Sequence, residues 1–132
     1  MKIAIVVLKF ASLFLLLSAF QCEDDTTSLT CEEKMSQLSA MEMSIQNLAD
    51  TSVCNENFEC RSVALGSKPC GGPWGYLVYS TSIDTLKLNT LVEKYNQFEA
   101  KINEECERFS DCAMVNPPER LECQNNRCIA VY

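Results

Sequence analysis

Residues 84–106 read DTLKLNTLVEKYNQFEAKINEEC, and the spacing of their apolar members decides the fold. Leu88, Leu91, Tyr95, Phe98, Ile102 and Cys106 recur at intervals of three and four, which lines one face of an α-helix and does not suit the two-residue period of a strand. The opposite face is Lys, Glu and Asn and reads as solvated. The same period lies upstream, where Thr30 to Ala49 puts Cys31, Met35, Leu38, Met41, Ile45 and Leu48 on one side, with Thr30 and Glu33 in capping-box spacing. A methionine-rich stripe suits an adaptable groove as well as a core, and at helical spacing it reads as core.

Each helix needs a cover for its stripe, and the two stripes suit each other. Cys31 begins the first and Cys106 ends the second, so antiparallel packing brings these cysteines together. A bridge closing that 75-residue separation stabilises by about 4.5 kcal/mol at most in the chain-entropy account.

The rest of the chain reads as short strands. Glu59 to Leu65 alternates before the turn run Gly66, Ser67, Lys68, Pro69, and Tyr76 to Ser80 follows with Leu77 and Tyr79 on one face and Tyr76 and Val78 on the other. A strand is expected near Ala113 to Val115, a break at Asn116, Pro117 and Pro118, and a hairpin from Leu121 to Val131 turning at Asn125-Asn126, two residues that tolerate positive φ. The expected fold class is α+β: two antiparallel helices packed on a small antiparallel sheet of four or five short strands, disulfide-rich.

The N-terminal segment predicts export. Met1 to Gln21 carries Lys2 and Lys9, then an apolar run from Phe10 to Leu17 that ends in Ser18 and Ala19. This is the pattern of a signal peptide, shorter than the roughly 20 apolar residues of a spanning helix. An uncleaved N-terminal anchor is the alternative, which the interruption at Lys9 disfavours. The domain division is therefore a signal peptide over 1–21, a polar tether over 22–29 and one disulfide-stapled domain over 30–132.

Nine cysteines in an exported chain mean a disulfide framework, and their number is odd. Cys31, Cys54, Cys60, Cys70, Cys106, Cys112, Cys123 and Cys128 make four bridges, of which only Cys31 to Cys106 follows from the pattern. Cys123 and Cys128 lie opposite each other if the Asn125-Asn126 turn is a two-residue loop, which permits a cross-strand bridge without requiring one. Cys22 stands apart at the signal boundary, before Glu23, Asp24 and Asp25, and is a candidate for lipidation. Ala19, Phe20 and Gln21 depart from the small residue that usually precedes a lipid-bearing cysteine. Without acylation Cys22 is a free thiol or an intermolecular bridge.

The balance of 11 cations against 18 acidic groups excludes a nucleic-acid partner and an anionic lipid surface. It leaves an unknown protein partner, of cationic character if charge selects it, and membrane attachment only through a lipid on Cys22. The chain has no histidine, which removes the commonest general base and metal ligand together, and it has no Cys-x-x-Cys pair. The carboxylate pairs Asp24-Asp25 and Glu104-Glu105 read as a solvated tether and a solvated helix end. No catalytic residue, cofactor or metal is expected.

One segment asks for more than packing. Cys70, Gly71, Gly72, Pro73, Trp74, Gly75 gathers three of the four glycines and the only tryptophan. Prolines on either side stiffen a loop that a cysteine pins, so Lys68, Pro69, Gly71, Gly72, Pro73 and Trp74 form a candidate recognition loop. The competing reading has Trp74 and Tyr76 capping a small core.

The stretch from Cys60-Arg61 through Cys70-Gly71-Gly72-Pro73 to Tyr76-Leu77 and Ser80, with Ser110-Asp111-Cys112 and the Cys123 to Cys128 hairpin, resembles an uncharacterised family of small exported bacterial proteins and lipoproteins. The likeness spans about 70 residues. Asn126 departs from the glycine frequent in the family's hairpin, and Cys31 with Cys106 looks like an added bridge. The resemblance implies export and a disulfide framework, outer-membrane or cell-surface placement if lipidated and periplasmic or secreted placement otherwise, and it leaves function open, since the family has no assigned activity to carry over. The function expected is a non-catalytic exported interaction or structural module. The alternative is an inhibitor of an exported protease or other hydrolase, presenting the Gly66–Gly75 loop with Lys68 as bait.

Overall fold

The computed structural model describes residues 29–132; the expected signal peptide, Cys22 and the expected tether up to residue 28 lie outside the described residues. The first helix, α1, spans Cys31–Asp50. Its start is fixed by the capping box: the Glu33 amide donates to Thr30 Oγ1 at 3.2 Å, and the Thr30 amide donates to Glu33 Oε2 at 2.8 Å. That bond holds the Glu33 carboxyl below its usual value. Leu38, Ile45 and Ala49 are buried, with Met41 and Leu48 half-buried beside them, whereas Met35, in the first turns of the helix, stays exposed.

A hairpin follows, β1 over Cys60–Leu65 and β2 over Gly75–Ser80, paired antiparallel from Cys60 opposite Ser80 to Leu65 opposite Gly75. Leu77 and Tyr79 point into the core, as the alternation requires. The second helix, α2, spans Thr85–Glu105 and is capped by Asp84, whose Oδ1 accepts from the Lys87 amide at 2.9 Å. It ends with Glu107 at φ 47° and the Arg108 amide donating to the Asn103 carbonyl at 3.0 Å, a left-handed cap usually given to glycine. A second hairpin, β3 over Arg120–Gln124 and β4 over Arg127–Val131, turns at Asn125 and Asn126 with φ of 52° and 61°. The two-residue turn is the one expected.

Helices α1 and α2 pack antiparallel, clamped at one end by Cys31–Cys106 with Cα atoms 5.9 Å apart and by the Lys34–Glu105 ion pair at 2.7 Å. Leu38, Ile45, Leu77, Tyr79, Leu88, Val92, Tyr95 and Ile102 form one core between the helices and the first hairpin. This is the α+β architecture expected.

Two expectations are corrected, and one open possibility is decided. The strands form two separate two-stranded sheets, not one sheet of four or five. The hairpins lie against each other, joined by Cys54–Cys123 and Cys60–Cys128 where a main-chain ladder was expected. Cys123 and Cys128 do sit opposite each other, but each bonds outward to the first hairpin region, so the cross-strand bridge is not made. Residues 113–115 are not a strand, because Pro117 and Pro118 lack amide donors and no strand lies beside them to pair with.

Candidate functional site

The loop between β1 and β2 is held by a polar face of α2. Asn96, Glu99 and Asn103 are spaced to share one side of the helix, next to the apolar stripe. Asn96 accepts from the Gly66 amide at 2.6 Å and donates to the Ala64 carbonyl at 3.1 Å. Glu99, only 3% exposed, accepts from the Ser67 amide at 2.7 Å and from the Trp74 indole N–H at 2.9 Å. Asn103 donates to the Ser67 carbonyl at 2.7 Å. Arg108 closes the set, 3.4 Å from Glu99 and 3.1 Å from the Asn103 side-chain oxygen. A carboxylate this deeply buried is tolerable because donors surround it.

Gly66 is the one glycine whose place is fixed by both backbone and neighbours. Its φ is +87°, and a Cβ there would stand 2.5 Å from Trp74 Cδ1 and 3.0 Å from Glu99 Oε2. Beyond it the Lys68 amide donates to the Gly72 carbonyl and the Gly71 amide to the Lys68 carbonyl, both at 2.8 Å, closing a tight turn. Pro69 and Pro73 flank that turn half-buried, Gly71 and Gly72 are exposed, and Trp74 is 41% exposed.

Lys68 does not face solvent. It is 7% exposed, and its ammonium donates to Asp111 Oδ1 at 2.8 Å and to the Ala113 carbonyl at 2.9 Å, 5.1 Å from the Trp74 ring centre. The version of the recognition loop in which Lys68 is the presented bait is therefore corrected. Burial of the long side chain lets its head reach across to the segment after α2. The hydrogen bond from Lys68, then its charge, hold the Asp111 carboxyl below its usual value, and the Ala113 amide adds to this.

That segment is what the lysine and the Cys70–Cys112 bridge hold in place. Residues 108–118 run without turn or bend, and none of residues 109–118 makes a main-chain to main-chain hydrogen bond among the described residues. Phe109 and Met114 are the most exposed large apolar side chains described, at 93% and 90%. Sequence reasoning missed this segment and its support. The signal for the support was present in the polar 96, 99, 103 spacing, which was read as a solvated face.

A groove of about 730 Å³ lies between α1, β2 and β4, lined among others by Glu42, Gln46, Trp74, Tyr76 and Tyr95. Burial, with Glu99 and Glu42 nearby, pushes the Tyr95 hydroxyl up to about 12. Cys54, Cys60 and Cys128 bring three sulfurs within 4.8 Å of one another, but all three are in disulfides, which leaves no thiolate there to ligate a metal. Glu105 is engaged by Lys34 and Lys101. No helix among the described residues is long and apolar enough to cross a membrane.

No protein-family model, curated protein or solved structure compared with the chain matches it.

Proposed function

We propose that the chain is a non-catalytic, exported interaction module, tethered by a lipid on Cys22, that meets its protein partner through the segment 108–118. The observation that carries the reading is the covalent and ionic clamping of a segment whose largest side chains face solvent: the Cys70–Cys112 bridge and the buried Lys68 fix the main chain beside Phe109 and Met114. Fixing a surface before binding lowers the ordering cost of association. Four disulfides fit an oxidising compartment, and the likeness of the Cys-Gly-Gly-Pro block to small exported bacterial proteins and lipoproteins supports export.

Intact mass of the native protein, from a host able to export and acylate it, tests the placement. A lipid-sized increment with eight cysteines unreactive to alkylation is expected; an unmodified, reactive Cys22 removes the tether. For the interaction, a photoreactive residue is placed at position 109 and, as a control, at position 86, where Leu86 is 77% exposed on α2. Protein adducts from position 109 and none from position 86 are expected in the exporting host. Equal or absent adducts overturn the reading.

A further inference from the structure

We infer that the segment 112–118 is a protease-binding loop, with Met114 as the side chain that enters the primary specificity pocket of a serine endopeptidase preferring large apolar residues. The inference rests on the interaction reading above and names its partner.

An endopeptidase takes its substrate as an extended strand, main chain paired edge to edge and one side chain buried in a pocket next to the bond attacked. A loop that imitates substrate therefore needs an extended course, unclaimed main-chain groups, an exposed side chain of the right kind at its centre, and stiffness on both sides. Residues 108–118 run without turn or bend, and among the described residues 109–118 make no main-chain ladder, side chains alone engaging the carbonyl and amide of Ala113. Met114 is 90% exposed, unbranched and apolar, which suits a deep apolar pocket and not one built around a carboxylate.

Stiffness comes from four sources that bracket Met114 closely. On its N-terminal side, Cys112 is bonded to Cys70, and the carbonyl of Ala113 accepts from the buried Lys68 ammonium, which also holds Asp111. On its C-terminal side, Pro117 and Pro118 fix φ, and the Glu119 amide then enters the second hairpin by donating to the Val131 carbonyl. Phe109 is as exposed, but it follows the cap of α2 directly, where the Arg108 amide is bonded to the Asn103 carbonyl, so it has no run of unpaired main chain on its N-terminal side. The lysine is thus the post beneath the loop, and the methionine is what the loop shows.

The same clamps decide the fate of the bond. Hydrolysis between Met114 and Val115 breaks the carbonyl–nitrogen bond, adds the water hydroxyl to the Met114 carbonyl carbon and places the proton on the Val115 nitrogen. Both new ends stay attached to one folded body, through Cys112–Cys70 on one side and through the hairpin held by Cys54–Cys123 and Cys60–Cys128 on the other. Rejoining then competes with release, and the enzyme remains occupied.

The test is titration of the native, disulfide-bonded protein against a chymotrypsin-type, a subtilisin-type and a trypsin-type endopeptidase. Stoichiometric inhibition of the chymotrypsin-type or subtilisin-type enzyme, with the trypsin-type enzyme unaffected, is expected. Met114→Asp should weaken that inhibition about a hundredfold or more, since a charge then enters an apolar pocket. Met114→Lys should transfer inhibition to the trypsin-type enzyme, and Leu86→Ala should change nothing. Met114 is exposed, so these variants keep the fold, checked by eight unreactive cysteines. Lack of inhibition by the native protein, rapid cleavage and release at Met114–Val115, or a Met114→Lys protein inert toward the trypsin-type enzyme overturns the inference. Adducts from position 109 that persist alongside such a result remove the protease and keep the module; loss of those adducts removes the module itself.

Discussion

Replacing Glu99 by glutamine changes one atom in the buried contact that fixes the β1–β2 loop, and its cost follows from the donors that surround it. The carboxylate accepts from the Ser67 amide through one oxygen and from the Trp74 indole N–H through the other, with Arg108 at 3.4 Å. A glutamine offers one oxygen and one NH2 group, so whichever way the amide turns, one donor meets another donor. A buried donor left without an acceptor costs about 1–3 kcal/mol, and the half-exposed Arg108 loses its charged partner as well. E99Q should therefore lose about 2–3 kcal/mol, and E99A, which orphans both donors, about 3–5 kcal/mol. Trp74→Phe removes the indole N–H and lets the amide of E99Q turn toward the vacated position. The double variant should recover about 1–2 kcal/mol relative to the sum of the two single losses. Guanidinium chloride unfolding with all bridges intact, at unchanged denaturant dependence, measures each term. A loss below about 0.5 kcal/mol for E99Q, or strict additivity with Trp74→Phe, refutes the assignment of Glu99 as the acceptor for both donors.

Gly66→Ala places a Cβ 2.5 Å from Trp74 Cδ1 at a φ of +87°, and thermal unfolding should show a loss of about 2–4 kcal/mol. Glu107→Gly relieves the left-handed cap after α2 and should gain about 0.5–1 kcal/mol, read as a higher Tm; an unchanged or lower Tm contradicts the cap. The raised Tyr95 hydroxyl means that the folded chain keeps a proton the unfolded chain releases. Its share of stability is present below pH 10.0 and declines as pH rises toward about 12. Tyr95→Phe should flatten the alkaline fall of Tm over that window, and an identical slope in both proteins denies the shift.

Both helices, their antiparallel clamp and the Asn125-Asn126 turn were legible in the sequence because each rests on local spacing. Six cysteines resisted pairing because their partners are set by how the two hairpins lie together and by where the segment after α2 meets the β1–β2 loop, which no spacing records. Lys68 misled for a related reason. A lysine beside glycines and prolines looks presented, and only the tertiary placement of Asp111 and Ala113 supplies the partners that draw it inward. Asn96, Glu99 and Asn103 look like any solvated helix face until the loop main chain is laid across them. The exposed segment escaped notice because Ala113 to Val115 fits strand propensity, while the lack of a neighbouring strand is a property of the whole fold.

The bridge connectivity also constrains the order in which the molecule can be made. Each bridge joins one of Cys31, Cys54, Cys60 and Cys70 to one of Cys106, Cys112, Cys123 and Cys128. A chain synthesised from its N-terminus thus displays four thiols before any correct mate has emerged. Oxidation in order of appearance would close Cys31, Cys54, Cys60 and Cys70 among themselves, and every such bond is wrong. The native framework is reached only if those thiols stay reduced until residues 106–128 arrive, or if early bonds are opened again by thiol–disulfide exchange.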